Sequence, residues 1–131
     1  MKEIERVALD SSAVILYFRG LPAAAELLSQ AREIYLPLTA LGELYLGLER
    51  SQNKTRRTHE LNELLSLVNV LLPDLHTARL YAQLKARLLN AGTPIPDNDL
   101  WIAALARQAH LPLAARDEHF EFVEGLKLIP L

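Results

Sequence analysis

The sequence predicts an α/β fold built on a short parallel sheet covered on both faces, and three observations carry that reading. Brief apolar runs alternate with stretches of helical periodicity along the whole chain, the pattern of strand–helix–strand units. Proline, glycine and asparagine mark the joins between them, as chain punctuation requires. Four acidic residues, Asp10, Glu43, Asp99 and Asp117, fall where an apolar strand gives way to a helix. Successive parallel strands bring their carboxyl ends to one edge of the sheet, where ligands bind. Carboxylates far apart in sequence can therefore meet in one pocket.

Residues 4–9 read as the first strand, ended by Asp10. Ser11 or Ser12 opens an apolar helix to about Phe18, which Gly20-Leu21-Pro22 breaks. A second helix, 22–31, carries Ala24, Leu27, Leu28 and Ala31 at helical spacing. Residues 33–36 form a short strand closed by Pro37. Thr39 is suited to cap a helix over 40–50, with Leu41, Leu44, Tyr45 and Leu48 on one face. Asn53 starts a fourth helix that buries Leu61, Leu64, Leu65 and Val68, and 68–71 is a strand before Pro73. A long helix over 75–90 turns Leu75, Ala78, Tyr81, Ala82, Leu84, Leu88 and Leu89 inward and stops at Asn90-Ala91-Gly92. Another helix spans 97–108, a strand 113–115 leads to Asp117, and a brief helix, 118–123, precedes a last strand, 126–129.

The length of 131 residues suits one domain spanning 1–131, with no linker, low-complexity tract or internal repeat. Half the residues are apolar and 23% are charged, a globular balance that argues against disorder. The absence of cysteine excludes disulfides, a thiolate nucleophile and cysteine-based zinc sites, and is compatible with a reducing, cytoplasmic setting. The first residues lack the apolar core of a signal peptide, and no apolar run approaches the ~18 residues of a membrane span. No membrane partner is expected. The formal net charge of −2 at first opposes a nucleic-acid partner. Setting the four acids aside leaves the rest of the chain at +2. Basic residues also bunch at Arg50, Lys54, Arg56 and Arg57, either as a solvated helix connection or as a phosphate-contacting rim.

Helix capping is the competing explanation for each acid, because Asp favours N-caps and first turns. Asp97 fits that explanation, following Pro96 at a helix start, and Asp99 and Asp117 also lie near helix starts. Asp10 is not needed as a cap when Ser11 or Ser12 is available. Glu43 falls one residue beyond the capping-box position occupied by Gly42, in an otherwise apolar segment. A lone buried carboxylate is expensive unless it is paired or binds metal. Hard oxygen donors of this kind suit Mg²⁺ or Mn²⁺. One such ion, or two about 4 Å apart, would bind phosphate oxygens and lower the pKa of water, the chemistry of phosphodiester hydrolysis. Asp10 and Asp99 are then the central ligands, completed by Glu43 and Asp117.

At these residues the sequence resembles the PIN-domain ribonucleases, especially the VapC-like toxins of prokaryotic toxin–antitoxin pairs. The matching segments are Leu9-Asp10-Ser11-Ser12, the stretch from Thr39 to Gly47 around Glu43, the block from Asn98 to Ala104 around Asp99, and Ala115-Arg116-Asp117-Glu118-His119-Phe120. They occur in the family order over nearly the whole chain. The resemblance implies a three-layer α/β/α sandwich and a Mg²⁺- or Mn²⁺-dependent endoribonuclease acting on RNA. It places the acidic roles on Asp10, Glu43, Asp99 and Asp117. It also implies a homodimer and a small cognate antitoxin whose chain covers the active-site groove. Independently, apolar helix surface around Leu27, Leu28, Leu44 and Leu48 exceeds what so small a sheet needs and predicts self-association there. Asp97 is an additional acid open to three roles: cap, supporting group or ligand. Thr39 and Ser11 match small hydroxyl positions, either capping helices or orienting ligands or phosphate. Arg116 is open to a phosphate contact or an exposed salt bridge.

The four histidines lack the spacing of a zinc helix motif, and His119 reads as a surface residue near Asp117. Trp101, in an apolar block, reads as core or interface rather than a base-stacking platform. Direct activation of water does not need a ribose 2′-hydroxyl, so the chemistry by itself leaves RNA and DNA open. A nuclease without a toxin role, and a non-catalytic interaction domain, are the rival readings. Four retained acids speak against the second rival.

Overall fold

The computed structural model describes residues 4–131. The first strand, β1 (Ile4–Leu9), leads into α1 (Ser11–Phe18) and α2 (Pro22–Gln30), and β2 (Ala31–Pro37) into α3 (Leu38–Glu49) and α4 (Lys54–Leu65). Then come β3 (Asn69–Leu71), α5 (Leu75–Ala91), α6 (Asp97–Gln108), β4 (Leu113–Ala115), a 3-10 helix (Glu118–Phe122) and β5 (Leu128–Pro130). The strands form one sheet in the order β3-β2-β1-β4-β5, with every pairing parallel. Val7, Ala8 and Leu9 are all fully buried. Consecutive strand residues face opposite sides, so both faces of β1 are covered, as a parallel sheet requires.

Strand order reverses at β1, because the chain moves to β2 on one side and later to β4 on the other. A crevice at such a switch point is where open α/β sheets bind ligands. Ala8 sits opposite Tyr35 on one neighbour and Leu113 on the other, and Leu9 opposite Ala114. The ends of β1 and β4 are therefore level, and Asp10 leaves the sheet beside the segment that leads to Asp117.

Several local expectations shift. Thr39 does not cap α3: the cap position is Pro37, and Thr39 lies in the first turn with its hydroxyl buried and unpartnered. Proline's fixed φ sets the helix start two residues earlier than a hydroxyl cap would. Asn53 caps α4 as expected, accepting from Arg56 N–H at 3.3 Å. In α5 the inward face is narrower than the apolar residues suggest. Thr77, Leu84 and Leu88 are buried and Tyr81 half-buried, whereas Leu75 is 89% exposed, Leu89 is 57% exposed, and Ala78 and Ala82 are exposed. Packing on α6 selects one stripe along Thr77, Tyr81, Leu84 and Leu88, and a cap formed by Asp74 with Thr77 fixes its first turn. Gly92 ends α5 at φ 72°, a left-handed stop that glycine adopts without strain.

Candidate active site

Asp10 is 1% exposed, immediately beyond β1. Contrary to the serine-cap expectation, it is itself the N-cap of α1: its Oδ1 accepts from Ala13 N–H at 2.8 Å. Ser12 Oγ donates to both carboxyl oxygens, at 2.7 and 2.9 Å. A serine hydroxyl that orients the carboxylate is not free to cap the helix. Ser12 Oγ also accepts from Arg116 N–H at 3.3 Å, tying the end of β4 to the start of α1. The Arg116 side chain is exposed.

Glu43, half-buried on α3, accepts from Ser11 Oγ at 3.2 Å. Ser11 is thus a positioning group rather than a helix cap. Asp99 lies in the first turn of α6, which Pro96 opens. Asn98 Nδ2 donates to the Thr39 carbonyl at 3.2 Å, fastening the start of α6 to the start of α3. Asp117, exposed, precedes the 3-10 helix, and donor atoms of Asp99, Asp117 and His119 all lie within 4.8 Å of one another. His119 Nε2 is 2.8 Å from Asp99 Oδ2, yet it is buried and lacks an aligned hydrogen bond.

Asp97 stands apart from this group. It accepts from Lys85 Nζ at 2.7 Å and Tyr81 hydroxyl at 2.9 Å, contacts that hold its carboxyl below the usual range, Lys85 chief among them. Of the roles open to it, the structure gives it none as cap or ligand: it joins α6 to α5. Trp101 stacks on Tyr81, with ring centroids 4.1 Å apart and planes at 7°. That contact occupies one face of the indole and accords with its reading as a packing residue.

Burial, with a smaller contribution from acidic neighbours, raises the proton affinity of Asp10 and Asp99. Burial pushes the Asp10 carboxyl from the usual 3.8 up to about 6; Asp99 and Asp117 add to the rise, and the bonds from Ala13 and Ser12 oppose it. Asp99 is also raised, first by burial and then by Glu43 and Asp117, with His119 acting against. A pocket that gathers carboxylates this way suits a divalent cation. The donor set is hard oxygen with one imidazole, whose Nε2 lies against Asp99 Oδ2. Asp99, Asp117 and His119 bring donor atoms close enough together to share one ion, while Asp10 lies within electrostatic reach of Asp99 and Asp117, and Glu43 within reach of Asp99.

The raised Asp10 pKa has a consequence for stability in the absence of metal. The folded state binds the proton more tightly than the unfolded chain, so the contribution is full below about pH 4 and lost as pH rises through 6. Ionising Asp10 costs the metal-free fold on the order of 3 kcal/mol. In urea titrations with chelator, the stability of the wild type relative to Asp10→Asn should fall between pH 4 and 7. A difference that stayed flat across that range would contradict the assignment.

Fold and pocket together define a parallel α/β protein with a carboxylate-rich pocket at its sheet switch point. The PIN domain profile matches residues 7–126, and the chain belongs to that family. Ribonuclease VapC2 of Haemophilus influenzae is 31% identical over 124 residues, covering 91% of this chain and 92% of that protein. Ribonuclease VapC5 of Mycobacterium tuberculosis is 33% identical over 90 residues, 67% of each chain. The solved structure of VapBC-1 from nontypeable Haemophilus influenzae is similar over 95% of this chain and 97% of that one, with a TM-score of 0.85 and 27% identity.

Proposed function

We propose that this chain is a single-domain, Mg²⁺- or Mn²⁺-dependent endoribonuclease and the toxin of a toxin–antitoxin pair. The observation that carries the reading is Asp10: a carboxylate buried at the sheet switch point, within electrostatic reach of Asp99 and Asp117, with no basic side chain bonded to it among the described residues. Relatives that share the family over most of its length are ribonucleases of the VapC type, which favours RNA over DNA and an enzyme over an inert domain.

A bound divalent ion supplies positive charge to the scissile phosphate and lowers the pKa of water. The protein's part is to hold the donors ready. Asp10 is fixed by Ala13 and Ser12, Glu43 by Ser11, and Asp99 by the Asn98 link to α3. Donors locked by neighbouring bonds need no rearrangement when the ion arrives. Beside Glu43 a cleft of about 200 Å³ runs between α1, α3 and α4, floored by Ile15, Phe18, Leu44 and Leu61, with Arg19 and Arg57 among its lining residues. In this reading it receives the antitoxin chain, as relatives crystallised as VapBC complexes suggest.

The homodimer belongs to the same reading, on a different surface from the one the sequence pointed to. Leu27 and Leu44 are core residues, 5% and 8% exposed, and Leu28 and Leu48 pack against that core. Exposed apolar side chains on α3 are instead Leu38, Tyr45 and Leu46, the last 58% exposed. Light scattering at micromolar concentration should give a dimeric mass, and Leu46→Glu should shift it toward monomer. A monomeric wild type would remove the dimer from the proposal.

The nuclease reading is tested by incubating the purified, antitoxin-free protein with paired RNA and DNA oligonucleotides of one sequence. RNA cut in Mn²⁺ or Mg²⁺, with DNA intact and no cleavage in chelator, is the expected result. Equal cleavage of both would favour a general nuclease without a toxin role. A short neighbouring gene whose product binds and inhibits the protein would complete the pair.

A further inference from the structure

We propose that His119 is a nitrogen ligand of the active-site ion and biases this site toward Mn²⁺ over Mg²⁺. The inference rests on the metal-dependent reading above and adds to it a donor of another kind. Three features of the fold bring His119 there. The 3-10 helix that carries it is anchored by Phe120, which is fully buried. The His119 ring lies 4.9 Å from the Phe120 ring at 50°, a tilted contact that limits its rotation. Its Nε2 is sealed from solvent, has no aligned hydrogen-bond partner, and lies 2.8 Å from Asp99 Oδ2.

That spacing suits two ligands of one ion. Neighbouring donors around a six-coordinate ion with bonds of about 2.1 Å lie about 3 Å apart. Asp117 offers a third donor atom within the same 4.8 Å cluster. The set made by Asp99, Asp117 and His119 is thus two oxygens and one nitrogen, drawn from the start of α6 and from the turn after β4.

The choice of donor has a chemical consequence. Mg²⁺ takes oxygen ligands and keeps much of its water, whereas imidazole is a good ligand for first-row transition ions. Replacing one oxygen by nitrogen therefore weakens Mg²⁺ relative to Mn²⁺, while four carboxylates keep the site hard enough for both. A purely acidic pocket would make that distinction less strongly.

The test uses the full chain free of antitoxin, with Mn²⁺ and Mg²⁺ as probes. Pulsed electron paramagnetic resonance of the Mn²⁺-loaded protein should show modulation from a directly bound ¹⁴N, absent in His119→Ala. By calorimetry His119→Ala should lose about tenfold in Mn²⁺ affinity, the scale on which changes around a metal ligand act, with Mg²⁺ affinity nearly unchanged. His119→Asp, which restores an oxygen donor, should narrow the gap between the two ions. A wild-type spectrum without nitrogen modulation would overturn the inference even if the variants failed to fold. Equal loss for both ions would also overturn it, leaving His119 as a positioning partner of Asp99. Mn²⁺ binding that is abolished by Asp10→Asn but indifferent to His119 would sink this inference alone. No Mn²⁺ binding by the wild type would sink the metal-dependent reading with it.

Discussion

Asp10→Asn is expected to abolish RNA cleavage while leaving the metal-free fold as stable as the wild type, or more so. The two effects have one cause. The carboxylate is buried at the switch point, and its ionised form is disfavoured by burial and by Asp99 and Asp117. Asparagine keeps the side-chain oxygen that accepts from Ala13 and caps α1. It removes the charge that an ion would need. Loss of this proposed ligand should lower activity by roughly a thousandfold, about 4 kcal/mol of transition-state stabilisation. Asp99→Asn should act the same way, because Asp99 is also raised by burial and by its acidic neighbours. Cleavage rates and urea midpoints measured on the same preparations check both halves. A folded Asp10→Asn protein that cut RNA at the wild-type rate would remove Asp10 from the site.

Phe120→Ala is expected to be the most damaging change outside the acidic residues. Phe120 is the largest fully buried side chain among the described residues, and it seats the turn that carries Asp117 and His119. Deleting a buried phenyl ring costs about 3–5 kcal/mol through lost burial and the cavity left behind. That is a large part of the 5–15 kcal/mol typical of a domain. The variant should show a lower urea midpoint with an unchanged slope, and weaker Mn²⁺ binding under conditions where it is still folded. A loss below about 1 kcal/mol would mean that the ring is not a core element, against the packing described.

The features legible in the sequence were those with a local cause. β1, β2 and β4 announced themselves as short apolar runs, Asn53 as a helix cap and Gly92 as a helix stop, because each depends on residues within a turn of itself. Asp10 and Asp117 do follow the ends of β1 and β4, as parallel topology predicts. Glu43, however, lies inside α3 and Asp99 opens α6 directly after α5, so helix placement rather than a strand end positions those two. What failed to show depended on distant partners. Which stripe of α5 is buried was decided by α6, so Leu75 and Leu89 were assigned to the core although they face solvent. The self-association patch failed similarly, since Leu27 and Leu44 are needed by the core. Ser12 could have capped α1, but orienting the Asp10 carboxyl engages its hydroxyl and leaves the cap to Asp10. Asp97 reads first as a helix cap, but Pro96 takes that position and Lys85 and Tyr81, on the preceding helix, hold the Asp97 carboxyl instead.

His119 is the instructive omission. Its spacing matches no metal motif, and a histidine that follows Asp117 and Glu118 in a charged turn reads as exposed. The available signal was the next residue: a phenylalanine that must be buried pulls the turn inward and carries its neighbour toward Asp99. The Asn98 link from α6 to α3 is a second connection that periodicity does not show, because its acceptor is the Thr39 backbone.

The claim on which the rest depends is that the acidic pocket holds a divalent ion. Titrating Mn²⁺ into the purified, antitoxin-free protein by calorimetry, with Asp10→Asn alongside, tests it most directly. Saturable binding by the wild type, lost in the folded Asp10→Asn variant, is the predicted result. Identical binding by the two proteins, or none by the wild type even with an RNA oligonucleotide present, would contradict it.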